Sequence, residues 1–72
     1  MDQQDIIRDI EERAAKLQLS INEICVKAGV HPTTFSRWKL SEKNPQPIGA
    51  TLKSLSAITQ ELERVEALKA AA

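Results

Sequence analysis

The chain has 72 residues with ten basic and ten acidic side chains, and therefore no net charge at neutral pH. That length suits one small domain over residues 1–72, and a single cysteine excludes an internal disulfide. One cysteine and one histidine also exclude a zinc site with about four cysteine or histidine ligands. No apolar run reaches the roughly 18–20 residues of a membrane span, and no signal-peptide pattern is present. We therefore expect a cytoplasmic protein without a membrane partner.

The charged residues are unevenly distributed along the chain. Residues 1–19 carry a net charge of −2, residues 20–53 a net charge of +3, and residues 54–72 a net charge of −1. The charge of the nearby segment, and not the net charge of the chain, governs electrostatic contacts shorter than the Debye length of about 8–10 Å. The middle of the chain is therefore the segment expected to meet an anionic partner. On charge alone, an ordinary solvated surface of mixed sign remains the simpler interpretation.

Apolar residues recur at helical spacing, and no alternation typical of strands occurs, so we predict an all-α domain of four or five helices. A first helix is expected to be capped by Asp2 and to bury a stripe of apolar residues, namely Ile6, Ile7, Ile10, Ala14 and Leu17. Residues 20–23 (SINE) form a capping box that starts a short second helix. Its inward stripe comprises Ile21, Ile24, Cys25 and Ala28, and Gly29 follows as the helix terminator.

A third helix is predicted from Pro32 to about Leu40, because proline is favoured in the first turn of a helix. Phe35 and Trp38 lie three residues apart and are expected to face inward. Residues 44–47 (NPQP) must then form an extended loop, because a helix cannot continue through this proline pair. Two short helices joined through a tight glycine turn are the geometry of a helix-turn-helix, here at about residues 20–40.

Residues 20–40 (SINEICVKAGVHPTTFSRWKL) resemble the helix-turn-helix of the lambda-repressor-like (Xre/Cro-type) DNA-binding family. That family has a small residue in the second helix, a glycine at the turn, an apolar residue after it and two apolar positions in the recognition helix. These places are filled by Cys25, Gly29, Val30, Phe35 and Trp38. His31 stands where the family usually has a serine or threonine cap. The resemblance is close over residues 20–39 and loose as far as about residue 58.

If Phe35 and Trp38 face inward, the opposite side of the third helix carries Thr33, Ser36 and Arg37. Such a small polar face suits the DNA major groove, which is about 12 Å wide, and an arginine there can bind the O6 and N7 atoms of guanine. We predict that these three residues contact bases, and that Pro32 or the Thr33 methyl group touches a thymine methyl group. An ordinary solvated face is the alternative for each.

Phosphate contacts require positive charge or N–H donors beside the recognition helix. Lys39, Lys43 and Asn44 follow that helix directly, and Thr34 flanks its beginning. The family resemblance implies that the following loop and the start of the next helix also lie on the DNA backbone. It thereby adds Gln46 and Lys53 to these candidates. The amide groups at the start of the second helix, where Asn22 lies, are a further phosphate candidate.

The last amphipathic helix is expected over about residues 50–69, with Leu52 and Leu55 closing over the core. Beyond them an apolar seam with spacings of three and four residues comprises Ile58, Leu62, Val65 and Leu68. Two arrangements are open. The seam either folds back on the first helix or, as we favour, pairs with a second copy to form a homodimer.

Together these features predict a sequence-specific transcriptional regulator that binds double-stranded DNA, most simply a repressor of phage or prophage type on an inverted-repeat operator. The alternatives are a protein-interaction module, such as an antitoxin or anti-regulator, and an architectural factor that bends DNA. We expect no enzymatic activity, because Cys25 lies on the core stripe and no group is placed to orient His31 as its base. No cofactor, metal or small-molecule substrate is expected.

Overall fold

The computed structural model describes residues 2–71, and these residues form four α-helices. They are α1 (Gln3–Lys16), α2 (Ile21–Ala28), α3 (Pro32–Trp38) and α4 (Leu52–Ala71). Within the described residues the only β-type pairing is an isolated bridge between Ser41 and Asn44. The all-α prediction is therefore confirmed, with four helices rather than five. Helix α3 ends before the expected Leu40, and α4 begins later than expected.

Two left-handed residues end the first two helices. Gln18, with a φ of 58°, follows α1, and Gly29, with a φ of 77°, follows α2. After Gln18 the amide of Leu19 turns back to donate to the carbonyl of Ala14 at 2.9 Å, as in a Schellman motif. A left-handed conformation is expected at Gly29, because glycine has no Cβ atom. It is not expected at Gln18, because the Cβ atom of glutamine makes this conformation costly.

The capping box predicted at the start of α2 is present. The Ser20 hydroxyl accepts a hydrogen bond from the amide of Glu23 at 3.1 Å, and the Glu23 carboxylate accepts one from the amide of Ser20 at 3.5 Å. At the start of α1, Asp2 occupies the cap position, but its side chain makes no capping hydrogen bond. Its main-chain carbonyl accepts instead from the amides of Asp5 and Ile6.

One hydrophobic core joins all four helices, with α4 lying across α1 and α2. The buried residues are Ile7, Ile10, Ala14, Leu17, Ile24, Cys25, Val30, Phe35, Trp38, Leu55, Ile58 and Leu62. The predicted inward stripes of the first three helices are thus confirmed in their main members. Leu52 was predicted to join this core, and that prediction is wrong, because its side chain is 80% exposed. It is the first residue of α4, one turn before Leu55, and it lines a surface groove together with Leu55 without entering the core.

The prediction that Ile58 and Leu62 form a dimer seam is also wrong. Both are completely buried within the chain's own core, because α4 is the element that covers the apolar faces of α1 and α2. Val65 is half-buried against the same core, whereas Leu68 is 61% exposed. The fold-back arrangement, which was the other alternative, is the one that this structure has.

Polar contacts fix α4 on α1. The Arg13 guanidinium donates two hydrogen bonds to the Glu66 carboxylate, at 3.0 and 2.6 Å. One turn further along α4, the Lys69 ammonium donates to the Leu17 carbonyl at 2.7 Å near the end of α1. The bond from Arg13 lowers the pKa of Glu66, and the bond to Glu66 raises the pKa of Arg13. Both groups are therefore charged at neutral pH, and the pair fixes the register between the two helices.

Candidate nucleic-acid interface

Helix α3 has one buried face and one open face. Phe35 and Trp38 are each only 3% exposed, and their rings pack against each other with centroids 5.8 Å apart at a tilt of 59°. The opposite face presents Thr33, Ser36 and Arg37 to solvent. The expected division of α3 into an anchoring pair and an exposed trio is thus present. Within the described residues, the guanidinium of Arg37 makes no ion pair or hydrogen bond.

Two local hydrogen bonds stabilise the short turn between α2 and α3. After Gly29, the Val30 amide donates to the carbonyl of Cys25 at 2.8 Å, and the Val30 side chain is buried in the corner. His31 then caps α3, its Nδ1 atom accepting a hydrogen bond from the amide of Thr33 at 3.1 Å. A ring nitrogen here does what a serine or threonine oxygen does at other helix starts. Beyond it, Pro32 is half-buried in the first turn.

The end of α3 is held by Asn44, one of the predicted phosphate contacts. Its side-chain nitrogen donates toward the carbonyls of Ser36, Arg37 and Lys39 at 3.4, 2.9 and 3.0 Å. An amide nitrogen has two hydrogens, and three carbonyls already share them. No side-chain donor is left for a phosphate, so the prediction for Asn44 is corrected to a structural cap at the end of α3.

Two glutamines of α1 also hold the end of α3, and neither is indicated by the sequence pattern. The side-chain nitrogens of Gln3 and Gln4 donate to the carbonyl of Trp38 at 3.0 and 2.8 Å. Gln3 also joins the following loop, donating to the Ile48 carbonyl at 2.9 Å and accepting from the Ala50 amide at 2.8 Å. These contacts span more than thirty residues of sequence, so no local pattern could have revealed them.

The remaining phosphate candidates differ in how free their side chains are. Lys39 makes an ion pair with Glu11 of α1, with 2.7 Å between its ammonium nitrogen and a carboxylate oxygen, so it is not a free cation as predicted. Lys43, Gln46 and Lys53 are exposed, and no ion pair or hydrogen bond of their side chains occurs among residues 2–71. The exposed Asn22 lies in the first turn of α2, and Thr34 is half-buried beside the start of α3.

The part of the chain that the structure describes contains no cluster of three or more His, Cys, Asp or Glu side chains that could hold a metal ion. Cys25 is completely buried, and this burial raises the pKa of its thiol, which disfavours the reactive thiolate. Among residues 2–71, none of the helices is both long enough and apolar enough to cross a membrane.

Comparisons of the chain with models of protein families, with curated proteins and with solved structures found no match. The interpretation of the exposed face of α3 therefore rests on its geometry and on the resemblance of residues 20–40 to a helix-turn-helix sequence.

Proposed function

We propose that this protein is a sequence-specific regulator of transcription that binds double-stranded DNA through α3. One observation carries the proposal: Phe35 and Trp38 are buried, while Thr33, Ser36 and Arg37 are exposed together on the other side of the helix. A short helix with small polar residues and one unpaired arginine can enter a major groove, because it brings the main chain close to the base edges.

Base recognition would depend chiefly on Arg37. Its guanidinium can donate two hydrogen bonds to one guanine, a contact that discriminates against other bases by about 1–3 kcal/mol. Thr33 and Ser36 can donate or accept a single bond and, being short, let the helix lie deep in the groove. The proposal includes Pro32 as an apolar contact to a thymine methyl group. The hydrogen bonds from Asn44, Gln3 and Gln4 support this role because they fix the end of α3 next to Arg37.

Phosphate contacts would come from the exposed side chains on both sides of α3. Lys43 and Lys53 supply unpaired positive charge, and Gln46 supplies amide donors from the loop between α3 and α4. Asn22 and the amides of the first turn of α2 would meet the backbone on the other side. Two lysines per protomer, in a dimer, correspond to roughly four neutralised phosphates and a log–log salt slope of about −4.

The proposed regulator works as a homodimer in the cytoplasm, on an operator with an inverted repeat. A single half-site offers few contacts, and two copies of α3 spaced by about 34–36 Å along the DNA would read two half-sites one turn apart. With such an operator the simplest action is repression, in which the bound protein blocks access of the polymerase.

Selection from random DNA duplexes tests the proposal, because it reports specificity, symmetry and half-site spacing together. We expect an enriched inverted repeat, and we expect Arg37→Ala to bind it at least about 30-fold more weakly, because two contacts of about 1–3 kcal/mol each are lost from the dimer, with lost preference at one position of each half-site. Arg64→Ala is the matched control, since Arg64 is equally cationic but lies on α4 in an ion pair with Glu61. Uniform weakening across all sequences would indicate an architectural factor instead. Equal binding by both variants would refute the proposal.

A further inference from the structure

The segment that joins α3 to α4 is not anchored by the hydrophobic core. None of the side chains between Trp38 and Leu55 is fully buried. The large apolar ones in this segment, Leu40, Ile48 and Leu52, are each more than half exposed. Apolar burial therefore does not fix the place of this segment, and polar contacts have to do so.

Gln3 of α1 makes such contacts at the α4 end of the segment. Its side-chain amide pairs with the main chain on both sides of Gly49, donating to the carbonyl of Ile48 at 2.9 Å and accepting from the amide of Ala50 at 2.8 Å. The same nitrogen donates to the carbonyl of Trp38 at 3.0 Å. Both hydrogens of the nitrogen and the amide oxygen are therefore engaged. One side chain thus links α1, the end of α3 and the chain just before α4.

The contact with Gln3 is the last anchor of the chain before Lys53. Ala50, which is half-buried against the core, donates the only hydrogen bond that links residues 49–54 to another element in the described part of the chain. The cap made by the Thr51 hydroxyl lies within the first turn of α4 itself. Because the ends of helices fray unless they are held, the place of Lys53 relative to α3 depends on Gln3.

We infer that Gln3 is a positioning residue for DNA binding, which holds the start of α4 so that Lys53 reaches a phosphate beside the groove that α3 enters. The Lys53 side chain is exposed and makes no ion pair within residues 2–71. A lysine on a segment that is already fixed binds without the loss of conformational freedom that ordering the segment would cost. The inference rests on the proposed function for the DNA contact, but it requires only the DNA backbone and no particular sequence.

Gln4 provides a matched control on the same turn of α1. Its side-chain nitrogen donates to the same Trp38 carbonyl at 2.8 Å, but its oxygen accepts from the amide of Leu40 at 3.0 Å, next to α3 and not at the start of α4. A general loss of support for α3 should therefore appear in both Gln3→Ala and Gln4→Ala. A displaced Lys53 should appear in Gln3→Ala alone.

A double-mutant cycle between Gln3 and Lys53 tests the inference, with the Kd for a DNA duplex measured over a range of salt concentrations. In the wild-type background, we expect Lys53→Ala to weaken binding about fivefold per protomer and to make the log–log salt slope shallower by about 2 per dimer. In the Gln3→Ala background the slope is already shallower by that amount, and Lys53→Ala should change the Kd by less than about twofold. In the Gln4→Ala background the full effect of Lys53→Ala should remain.

Amide hydrogen exchange tests the anchor without DNA and, in the wild-type chain, without any substitution. The Ala50 amide should exchange at least about tenfold more slowly than the amides of Gly49 and Thr51, which make no hydrogen bond within the described residues. Gln3→Ala should remove this difference, and Gln4→Ala should keep it. Neither glutamine belongs to the core, so both variants are expected to keep the wild-type circular dichroism spectrum.

The outcomes separate this inference from the proposed function. An equal effect of Lys53→Ala in the wild-type and Gln3→Ala backgrounds would overturn the inference and leave the proposed regulator standing. Loss of the Lys53 effect in Gln4→Ala as well would overturn it too, and so would an Ala50 amide that exchanges as fast as its neighbours. A chain that shows the expected cycle but binds all DNA sequences equally would refute the proposed function and support the role of Gln3. A chain without affinity for DNA would overturn both.

Discussion

Leu62 and Leu68 provide a direct test of the fold-back arrangement. They lie six residues apart on α4, and both belonged to the predicted seam, yet Leu62 is 0% exposed and Leu68 is 61% exposed. Truncating a completely buried leucine to alanine costs about 2–5 kcal/mol, through lost apolar burial and the cavity that remains. Truncating an exposed leucine usually changes stability by less than about 0.5 kcal/mol.

We therefore expect Leu62→Ala to lose most of the stability of the domain, which for a core of this size is about 3–5 kcal/mol. Leu68→Ala should unfold like the wild type. Ile58→Val, a milder change at another completely buried position, should cost about 0.5–1.5 kcal/mol and keep the transition measurable. Because these side chains pack within one chain, the losses should not depend on protein concentration.

Urea unfolding measures these differences, followed by far-UV circular dichroism and by the fluorescence of Trp38. Trp38 is the only tryptophan and is 3% exposed, so its emission reports directly on the core. Equal losses at Leu62 and Leu68 would refute the assignment of Leu62 to the core. Losses that disappear as the protein concentration rises would instead show that Leu62 packs between copies.

Three further predictions concern the turn, the end of α3 and the contact between α1 and α4. Gly29→Ala should destabilise by about 1–2 kcal/mol in urea unfolding, because the φ of 77° is costly for alanine although no atom lies within 4 Å of the added carbon; an unchanged midpoint would contradict this. Asn44→Ala should lower Tm, because the cap of α3 is lost, but should leave the salt slope of DNA binding unchanged. Lys43→Ala should keep Tm and make that slope shallower by about 2 per dimer, because each protomer loses one phosphate contact. The reverse pattern would restore Asn44 as a phosphate contact. The bond from Arg13 lowers the pKa of Glu66 in the folded state, so its stabilisation is complete above the unfolded pKa of glutamate and is lost as pH falls through the lowered folded value. Thermal unfolding of Glu66→Gln across this acidic range should therefore show a smaller loss of Tm than the wild type, and parallel curves would refute the role of the pair.

Exposed and buried positions on α4 show where sequence reasoning reached its limit. The periodicity correctly predicted that Leu55 faces inward. It also predicted that Leu52 lies in the core and that Ile58 and Leu62 contact a second copy, and both of these predictions are wrong. A helix of twenty residues with apolar side chains on several faces has more than one possible orientation. Only the packing partner decides which stripe is covered. Here α1 and α2 together cover the stripe that contains Ile58 and Leu62.

The candidate DNA surface divides in the same way. The exposure of Thr33, Ser36 and Arg37 could be predicted because the spacing of Phe35 and Trp38 defines the opposite face of a single short helix. Whether each neighbouring polar side chain makes a hydrogen bond or ion pair within the protein could not be predicted. Asn44 and Lys39 were predicted from their types as phosphate contacts, and their partners are carbonyls at the end of α3 and the carboxylate of Glu11.

By itself the sequence determined the helices, the glycine turn, the capping box of α2 and the anchored face of α3. These features depend on residues within about one or two helical turns of each other, where propensity, capping and periodicity act directly. Only the tertiary structure decided which face of α4 is buried, how Gln3 and Gln4 hold the end of α3, and that Leu52 is left open. Those outcomes depend on contacts between residues far apart in the chain, and several pairings of apolar faces satisfy the same local rules until all four helices pack together.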